Sequence, residues 1–212
     1  TARKMVTEGM VLLKNDNNTL PLKKDETVSV FGRMQNYYYK SGTGSGGMVN
    51  VSRVVGIMDA LLEREDIKIN KDLADVYVQW GKEHPVDLGL GWGQEPWSQA
   101  EMPVTEELVH EAADKSEAAI VIIGRTAGEE KDITLEEGAY SLTKTEYEMM
   151  KLVRKHFKKM TVLLNVGGII DMSFMDIISP NACMYVWQGG MIGGYGVVDV
   201  LTGDVSPSGK MT

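Results

Sequence analysis

The chain has 212 residues, of which 43% are hydrophobic and 25% are charged, and its formal net charge is −8. This composition is ordinary for a globular domain, and no stretch approaches the roughly 18 consecutive apolar residues that a membrane span requires. The acidic balance argues against a nucleic-acid partner, because phosphate binding needs clustered lysine and arginine. We therefore expect neither a membrane nor a nucleic acid as partner.

The first third of the chain predicts two helices and one strand. Apolar residues in segment 2–13 recur at helical spacing, which predicts a helix that ends in the polar turn at 14–18. The β-branched run at 28–32 predicts the first strand. A loop with three consecutive tyrosines and a cluster of glycines follows, and an apolar stripe within 51–64 predicts the next helix.

The middle of the chain predicts a short strand at 67–69 and a helix at 71–82. Residues 83–104 contain three prolines and no periodicity, which indicates a long surface excursion. Thr105 is predicted to cap the helix that follows it, because its hydroxyl can accept a free backbone N–H of the first turn. Two glutamates in that turn also interact favourably with the helix dipole.

The remainder of the chain alternates strands with helices. Residues 120–123 predict a buried strand, and Thr143 begins a capping box for a helix that ends near Phe157. Two more strands and a final helix are predicted at 160–165, 182–187 and 194–201. Strand–helix alternation predicts an α/β fold with a mostly parallel six-stranded sheet between helices, an (α/β)6 sandwich, and we assign residues 1–212 to this single domain.

The segment 126–142, here called the acidic loop, follows the strand at 120–123. Arg125 immediately precedes the acidic loop. The loop carries five carboxylates: Glu129, Glu130, Asp132, Glu136 and Glu137. Loops at the carboxyl ends of parallel strands are where open α/β sheets present functional groups. From composition alone, a solvated acidic loop without a catalytic role is the simpler explanation of these residues.

Residues 42–47, here called the glycine-rich loop, formally satisfy the pattern G-x-G-x-x-G. A dinucleotide-binding fingerprint must lie in the tight turn between a strand and a helix, and here about ten residues intervene after the strand. No Lys-Ser or Lys-Thr pair follows, so a phosphate-binding P-loop also fails. A Rossmann-like nucleotide-binding domain remains a minor alternative, and we expect backbone freedom near a ligand or partner to explain the glycines.

No cofactor or metal is expected from the sequence. The three histidines are far apart, and the single cysteine, Cys183, has no partner at a ligand spacing. What remains is a set of carboxylates at strand ends and tryptophans in loops, including Trp92 and Trp187. Aromatic rings stack on sugar faces and paired carboxylates supply acid, base and nucleophile, so this combination points to carbohydrate chemistry. Each tryptophan could equally serve packing.

Several segments together resemble the α/β-sandwich domain of glycoside hydrolase family 3, the β-glucosidase and β-xylosidase family. In chain order they are EGMVLLKNDNNTLPL, VSVFGR, SGTGSGG, GEEKD, VLLNVGGIIDM, VWQGG and DVLTGDVSPSGKM. The resemblance implies a retaining β-glycosidase that removes terminal β-linked sugars. It also implies an aspartate nucleophile on a (β/α)8 barrel domain and a general acid/base glutamate on the sandwich. The barrel of the same polypeptide and a β-linked oligosaccharide or glucoside are the implied partners.

The family's acid/base motif often has the form Gly-Glu-Gly-x-Asp-Arg, and residues 128–133 correspond to it. The resemblance places Glu129 on the acid/base position and Asp132 on the motif aspartate. Glu130 replaces a glycine and is the alternative acid/base, while Ile133 replaces the arginine. The remaining expected contacts with substrate or with the barrel come from loop residues: Gly44, Ser45, Gly46, Arg125, Asp132, Trp92 and Trp187.

Both ends of the sequence resemble cuts through a longer protein, since it begins at Thr1 without an initiator methionine and stops at Thr212. We expect a polypeptide in which the sandwich precedes the barrel, located in the cytoplasm. The 212 residues alone are then expected to be inactive. A non-catalytic module that binds carbohydrate or protein is the competing hypothesis, and the sequence leaves homo-oligomer formation open.

Overall fold

A computed structural model describes residues 1–47 and 49–211. Its centre is a six-stranded sheet with the order β1-β6-β5-β4-β2-β3. The strands are β1 (Val11–Asn15), β2 (Thr27–Phe31), β3 (Lys68–Ile69), β4 (Ala118–Arg125), β5 (Met160–Val166) and β6 (Ala182–Tyr185). Strand β1 runs antiparallel to β6, and all other neighbours are parallel. The predicted mostly parallel sheet is confirmed.

Helices cover both faces of the sheet. They are α1 (Ala2–Gly9), α2 (Ile57–Leu62), α3 (Lys71–Glu83), α4 (Glu106–Asp114), α5 (Lys144–His156), α6 (Phe174–Ile177) and α7 (Gly193–Leu201). One hydrophobic core lies between the sheet and α2 and α7, and the other lies between the sheet and α3 to α6. The predicted sandwich is therefore confirmed.

Strand β4 shows why the chain forms this architecture. All eight of its residues are buried. Ile120 and Ile122 belong to one core, whereas Val121 and Ile123 belong to the other. Side chains alternate across a strand, so a continuous apolar run is stable only where helices cover both faces.

Three predicted elements need correction. Residues 11–13 are not the end of a helix and residues 14–15 are not part of a turn; together they form the edge strand β1, which pairs with Ala182–Tyr185 near the other end of the chain. The helix predicted at 51–64 is only Ile57–Leu62, because Val55 instead donates its N–H to the Met191 carbonyl at 2.7 Å. The last strand ends at Tyr185, since Trp187 has a φ of +55° that breaks extended structure.

Local helix signals were predicted correctly. Thr105 accepts the N–H of Leu108 at 3.2 Å, and Thr143 accepts that of Glu146 at 3.1 Å. Glu146 in turn accepts the N–H of Thr143 at 2.8 Å, which completes the capping box. Such signals depend on residues three positions apart and need no tertiary information.

The topology brings the two predicted functional loops together. Strands β2 and β4 are parallel neighbours, so their carboxyl ends lie at the same edge of the sheet. The chain leaves β2 toward the glycine-rich loop and leaves β4 directly into the acidic loop. The candidate site therefore lies where an open α/β sheet ordinarily places one.

Candidate active site

The glycine-rich loop packs directly on the acidic loop. Thr43 and Gly128 form an isolated parallel bridge, and Thr43 donates its N–H to the Ala127 carbonyl at 2.5 Å. Gly128 must lack a side chain, since a Cβ there would lie 1.9 Å from the Thr43 hydroxyl oxygen. The two loops thus form one backbone-linked unit at the end of β4.

Glu129 is held by this contact. Its Oε2 accepts the backbone N–H of Ser45 at 3.0 Å, and its Oε1 accepts the Ser45 hydroxyl at 3.1 Å. Gly44 has a φ of +88°, and a Cβ at this position would lie 2.7 Å from Glu129 Oε2. Glycine is required there both by the backbone conformation and by the approach of the carboxylate. The side chain of Glu129 is exposed at the edge of the domain.

The neighbouring carboxylates are less constrained than Glu129. Glu130 is exposed and has a φ of +52°, a left-handed conformation that L side chains rarely adopt. This conformation explains why a glycine suits the position in the family motif. Asp132 is exposed and forms no hydrogen bond or ion pair within residues 1–47 and 49–211. Of these three carboxylates, Glu129 is the one held by a hydrogen-bonding partner in the described structure.

Arg125 does not line the site, which corrects its assignment to a substrate or interface loop. The side chain is fully buried and forms two 2.7 Å hydrogen bonds with the Glu146 carboxylate. Its other N–H groups donate to the carbonyls of Gly124, Ala139 and Ser141 at 2.7, 2.9 and 3.0 Å. All five N–H donors of the guanidinium are therefore satisfied, and none is free for a ligand.

The long excursion at 83–104 lies against the acidic loop. Thr126 donates its N–H to the Trp97 carbonyl at 2.8 Å. Lys131 donates to the Glu95 carbonyl, and its ammonium lies 4.7 Å from the centre of the Trp97 ring. Partial burial lowers the pKa of Lys131. Trp97 thus serves as a packing platform for the base of the acidic loop.

The tip of the same excursion points away from the fold. Leu88 is 63% exposed, Leu90 is fully exposed and Trp92 is 51% exposed. We call residues 88–92 the apolar tip. Gly89 within the tip and Gly93 just after it have φ values of +73° and +68°, so the chain turns tightly at both positions. Trp92 is available to a ligand or to another surface, as the sequence predicts, and no contact in the described structure tests that role.

Trp187 is tied to the fold instead. Its indole N–H donates to the Gly9 carbonyl at 2.8 Å, and its ring packs 4.3 Å from that of Tyr185. Its carbonyl accepts the Asn165 amide at 2.6 Å. These contacts join the end of α1 to the carboxyl edge of the sheet and give the side chain a structural role within the domain.

Sequence reasoning missed two features of the site. The first is the role of Ser45, which lies 84 residues from its partner Glu129 and has no local signature. The second is the buried partner of Arg125; Glu146 was visible only as the acidic residue of a capping box. A cavity of about 850 Å³ also lies between α2, α3 and the three consecutive tyrosines at 37–39, and its lining includes Gly42 and Gly47 but not Glu129.

The described structure also bears on nucleotide binding, metal binding and membrane insertion. The glycine-rich loop does not open a helix, because α2 begins ten residues later at Ile57, and this arrangement lacks the strand–turn–helix unit of nucleotide sites. Within the described residues, no three His, Cys, Asp or Glu side chains are grouped so as to hold a metal ion. No described helix is long and apolar enough to cross a membrane.

The fold and its edge define an α/β-sandwich domain that presents an anchored carboxylate on its surface. A family model described as the glycosyl hydrolase family 3 C-terminal domain matches residues 10–212. The chain belongs to this family, and the resemblance seen in the sequence is confirmed.

Named relatives agree with the family match. The chain is 55% identical over 210 residues to a β-glucosidase of Ruminococcus albus, covering 99% of this chain. It is 33% identical to β-glucosidase A of Butyrivibrio fibrisolvens, covering 97% of this chain. A crystal structure of a β-glucosidase from Paenibacillus barengoltzii superposes with a TM-score of 0.95 at 52% identity over 97% of this chain. β-Glucosidase 3B from Thermotoga neapolitana, solved with glucose, gives a TM-score of 0.87 at 29% identity over 98%.

The match covers a minor part of each relative. The chain spans 22% of the Ruminococcus protein and 27% of the Butyrivibrio protein. It spans 23% of the Paenibacillus chain and 29% of the Thermotoga chain. Most of each relative therefore lies outside the region that this domain resembles.

Proposed function

We propose that this domain supplies the general acid/base of a retaining β-glucosidase, with Glu129 as the catalytic carboxyl. The observation that carries the proposal is the placement of Glu129: exposed at the carboxyl edge of β4 and held through both oxygens by Ser45. A proton donor must be held in reach of the bond that breaks, yet be open to a substrate. Glu130 and Asp132 are open but lack such anchoring.

The second carboxylate comes from another part of the polypeptide in this proposal. A retaining glycosidase needs a nucleophile about 5–5.5 Å from the acid/base group. The partner that we propose is a (β/α)8 barrel domain, which fits the small share of each relative that this domain covers. The apolar tip belongs to the excursion that contacts the acidic loop through Glu95 and Trp97. It supports a facing surface, since three large apolar side chains at one loop tip are costly in water.

The substrate that we propose is a terminal β-linked glucoside, in line with the β-glucosidases to which the chain is similar. Trp92 offers an exposed aromatic face on the same excursion that contacts the acidic loop through Trp97, and such a face can stack on a sugar ring. Sugar specificity beyond this class depends on the part of the polypeptide outside the matched region.

The test is a domain exchange. The matching segment of the Ruminococcus albus β-glucosidase is replaced by this chain, and hydrolysis of nitrophenyl β-glucoside is measured beside the isolated domain. We expect the chimera to turn over substrate and the isolated domain to be inactive, because the nucleophile is then missing. Turnover by the pure isolated domain, or binding of sugar with no activity in any barrel-containing form, would contradict the proposal.

The residue is tested by leaving-group dependence in the chimera. Glu129→Ala should lower kcat/KM by roughly 10²- to 10⁴-fold for a glucoside with a poor leaving group, and far less for an activated one, because only the former needs a proton. Azide should partly restore turnover of the activated glucoside. Glu137→Ala is the matched control on the same loop. If Glu130→Ala behaves in this way and Glu129→Ala does not, the acid/base assignment moves to Glu130.

A further inference from the structure

Ser45 contacts both oxygens of Glu129, but with two different kinds of group. Its backbone N–H donates to Oε2 at 3.0 Å, and its hydroxyl donates to Oε1 at 3.1 Å. A backbone N–H can only donate a hydrogen bond, whereas a hydroxyl can donate or accept. The two oxygens of the carboxyl therefore face different chemistry.

The position of Ser45 is fixed by its own loop. Gly47 donates its N–H to the Gly44 carbonyl at 3.1 Å, so residues 44–47 form a tight turn. Thr43, immediately before the turn, is bonded to the acidic loop at Ala127 and Gly128. Backbone contacts consequently hold the main chain of Ser45 against Glu129, and its short side chain places the hydroxyl beside the second oxygen.

We propose that Ser45 is a positioning residue for Glu129. Its two donors determine that Oε1, and not Oε2, carries the transferred proton. This inference rests on the proposed function. Oε2 faces a permanent donor and stays an acceptor throughout the cycle. Oε1 faces a hydroxyl whose hydrogen can rotate, so the hydroxyl donates to Oε1 when this oxygen is unprotonated and turns its hydrogen away when the oxygen is protonated.

Oε1 is the atom that gives and takes the proton in both steps of the reaction. When the glycosidic bond breaks, its electron pair goes to the leaving oxygen, which takes the proton from Oε1 while the nucleophilic carboxylate bonds to the anomeric carbon. In the second step water bonds to that carbon and loses a proton to Oε1, and the bond to the nucleophile breaks. Ser45 neither gains nor loses a proton in the cycle.

The experiment is a double-mutant cycle in the chimera. Ser45→Ala should lower kcat/KM roughly tenfold for a glucoside with a poor leaving group, the effect of one charge-assisted hydrogen bond, and leave an activated glucoside unchanged. Ser45→Thr keeps the hydroxyl and should retain most of the rate. In the Glu129→Ala background, Ser45→Ala should have no further effect, because Ser45 acts through Glu129.

A second variant tests the same contact through the backbone. Gly44→Ala places a Cβ 2.7 Å from Glu129 Oε2 and should reproduce the leaving-group dependence of Ser45→Ala. Gly168→Ala is the control, since a Cβ there meets nothing within 4 Å. Urea unfolding of each isolated variant domain shows whether the fold is kept.

The outcomes separate the two proposals. If Glu129→Ala shows no leaving-group dependence, the proposed function fails. If Glu129→Ala behaves as expected but Ser45→Ala matches the parent, or slows both substrates equally, only the role of Ser45 is overturned. A further loss from Ser45→Ala in the Glu129→Ala background overturns it as well, because the effect would then be structural.

Discussion

Arg125 and Glu146 form a buried ion pair that joins the end of β4 to the first turn of α5. The guanidinium also binds the carbonyls of Ala139 and Ser141, which lie near the far end of the acidic loop. This pair therefore closes both ends of the loop that carries Glu129.

Breaking this pair should destabilise the domain severely. Glu146→Gln leaves a buried guanidinium without a counter-charge, and such losses cost about 3–5 kcal/mol. Urea unfolding of the isolated domain measures the effect. Lys115→Met, which removes an exposed ion pair with Asp72, should change the unfolding free energy by less than about 1 kcal/mol. Equal effects of the two substitutions would show that the buried pair contributes no more to the unfolding free energy than an exposed pair does.

Glu101 should make the stability fall as the pH rises. Its carboxylate is buried and accepts the N–H groups of Arg33 and Met102 at 2.9 and 2.8 Å. Burial raises the pKa of Glu101 from 4.5 to about 7, although these hydrogen bonds oppose the shift. The folded state thus holds the proton more tightly than the unfolded state does, so stability is lost between about pH 4.5 and pH 7. The loss is about 3 kcal/mol at most.

The measurement is urea unfolding at several pH values from 4.5 to 8. Glu101→Gln should flatten the decline, because the amide oxygen still accepts a backbone N–H and carries no charge. Glu107→Gln, at an exposed position in the first turn of α4, should leave the decline unchanged. A Glu101→Gln domain whose stability follows the parent across this range would contradict the prediction.

Glu130→Gly should stabilise the isolated domain. The φ of +52° at Glu130 strains an L side chain but not glycine, and relief of such strain is worth about 1 kcal/mol, partly offset by the extra freedom of glycine in the unfolded chain. Glu137→Gly, at a neighbouring position without a positive φ, should lower the stability instead. Denaturant midpoints compare the two variants directly. A Glu130→Gly domain that is less stable than the parent would show that the Glu130 side chain compensates for the strain of its backbone.

Leu90→Ser should separate folding from docking. The Leu90 side chain is fully exposed, so the unfolding free energy of the isolated domain should change by less than about 0.5 kcal/mol. In the chimera the same change should lower kcat/KM, because the apolar tip is proposed to contact the rest of the polypeptide. Ile177→Ser, at a 63% exposed position on α6, is the control. A chimera that is indifferent to Leu90→Ser would remove the tip from the proposed interface.

The sequence predicted what depends on near neighbours along the chain. The caps at Thr105 and Thr143 and the buried strand β4 follow from residue type and spacing over a few positions. The edge strand β1 could not be predicted in this way. Its residues have helix-like spacing, and only pairing with β6, some 170 residues later, makes them extended.

The same distinction between local and distant contacts applies to the candidate site. The sequence by itself determined the α/β class, the acidic loop and, through the family motif, Glu129 as the residue to test. Only the tertiary structure decided that Ser45 hydrogen-bonds to Glu129, and that Arg125 pairs with Glu146 and so cannot bind a ligand. The physical reason is that local patterns fix backbone conformation, whereas the use of a hydrogen-bonding group depends on which distant group the folded sheet places beside it.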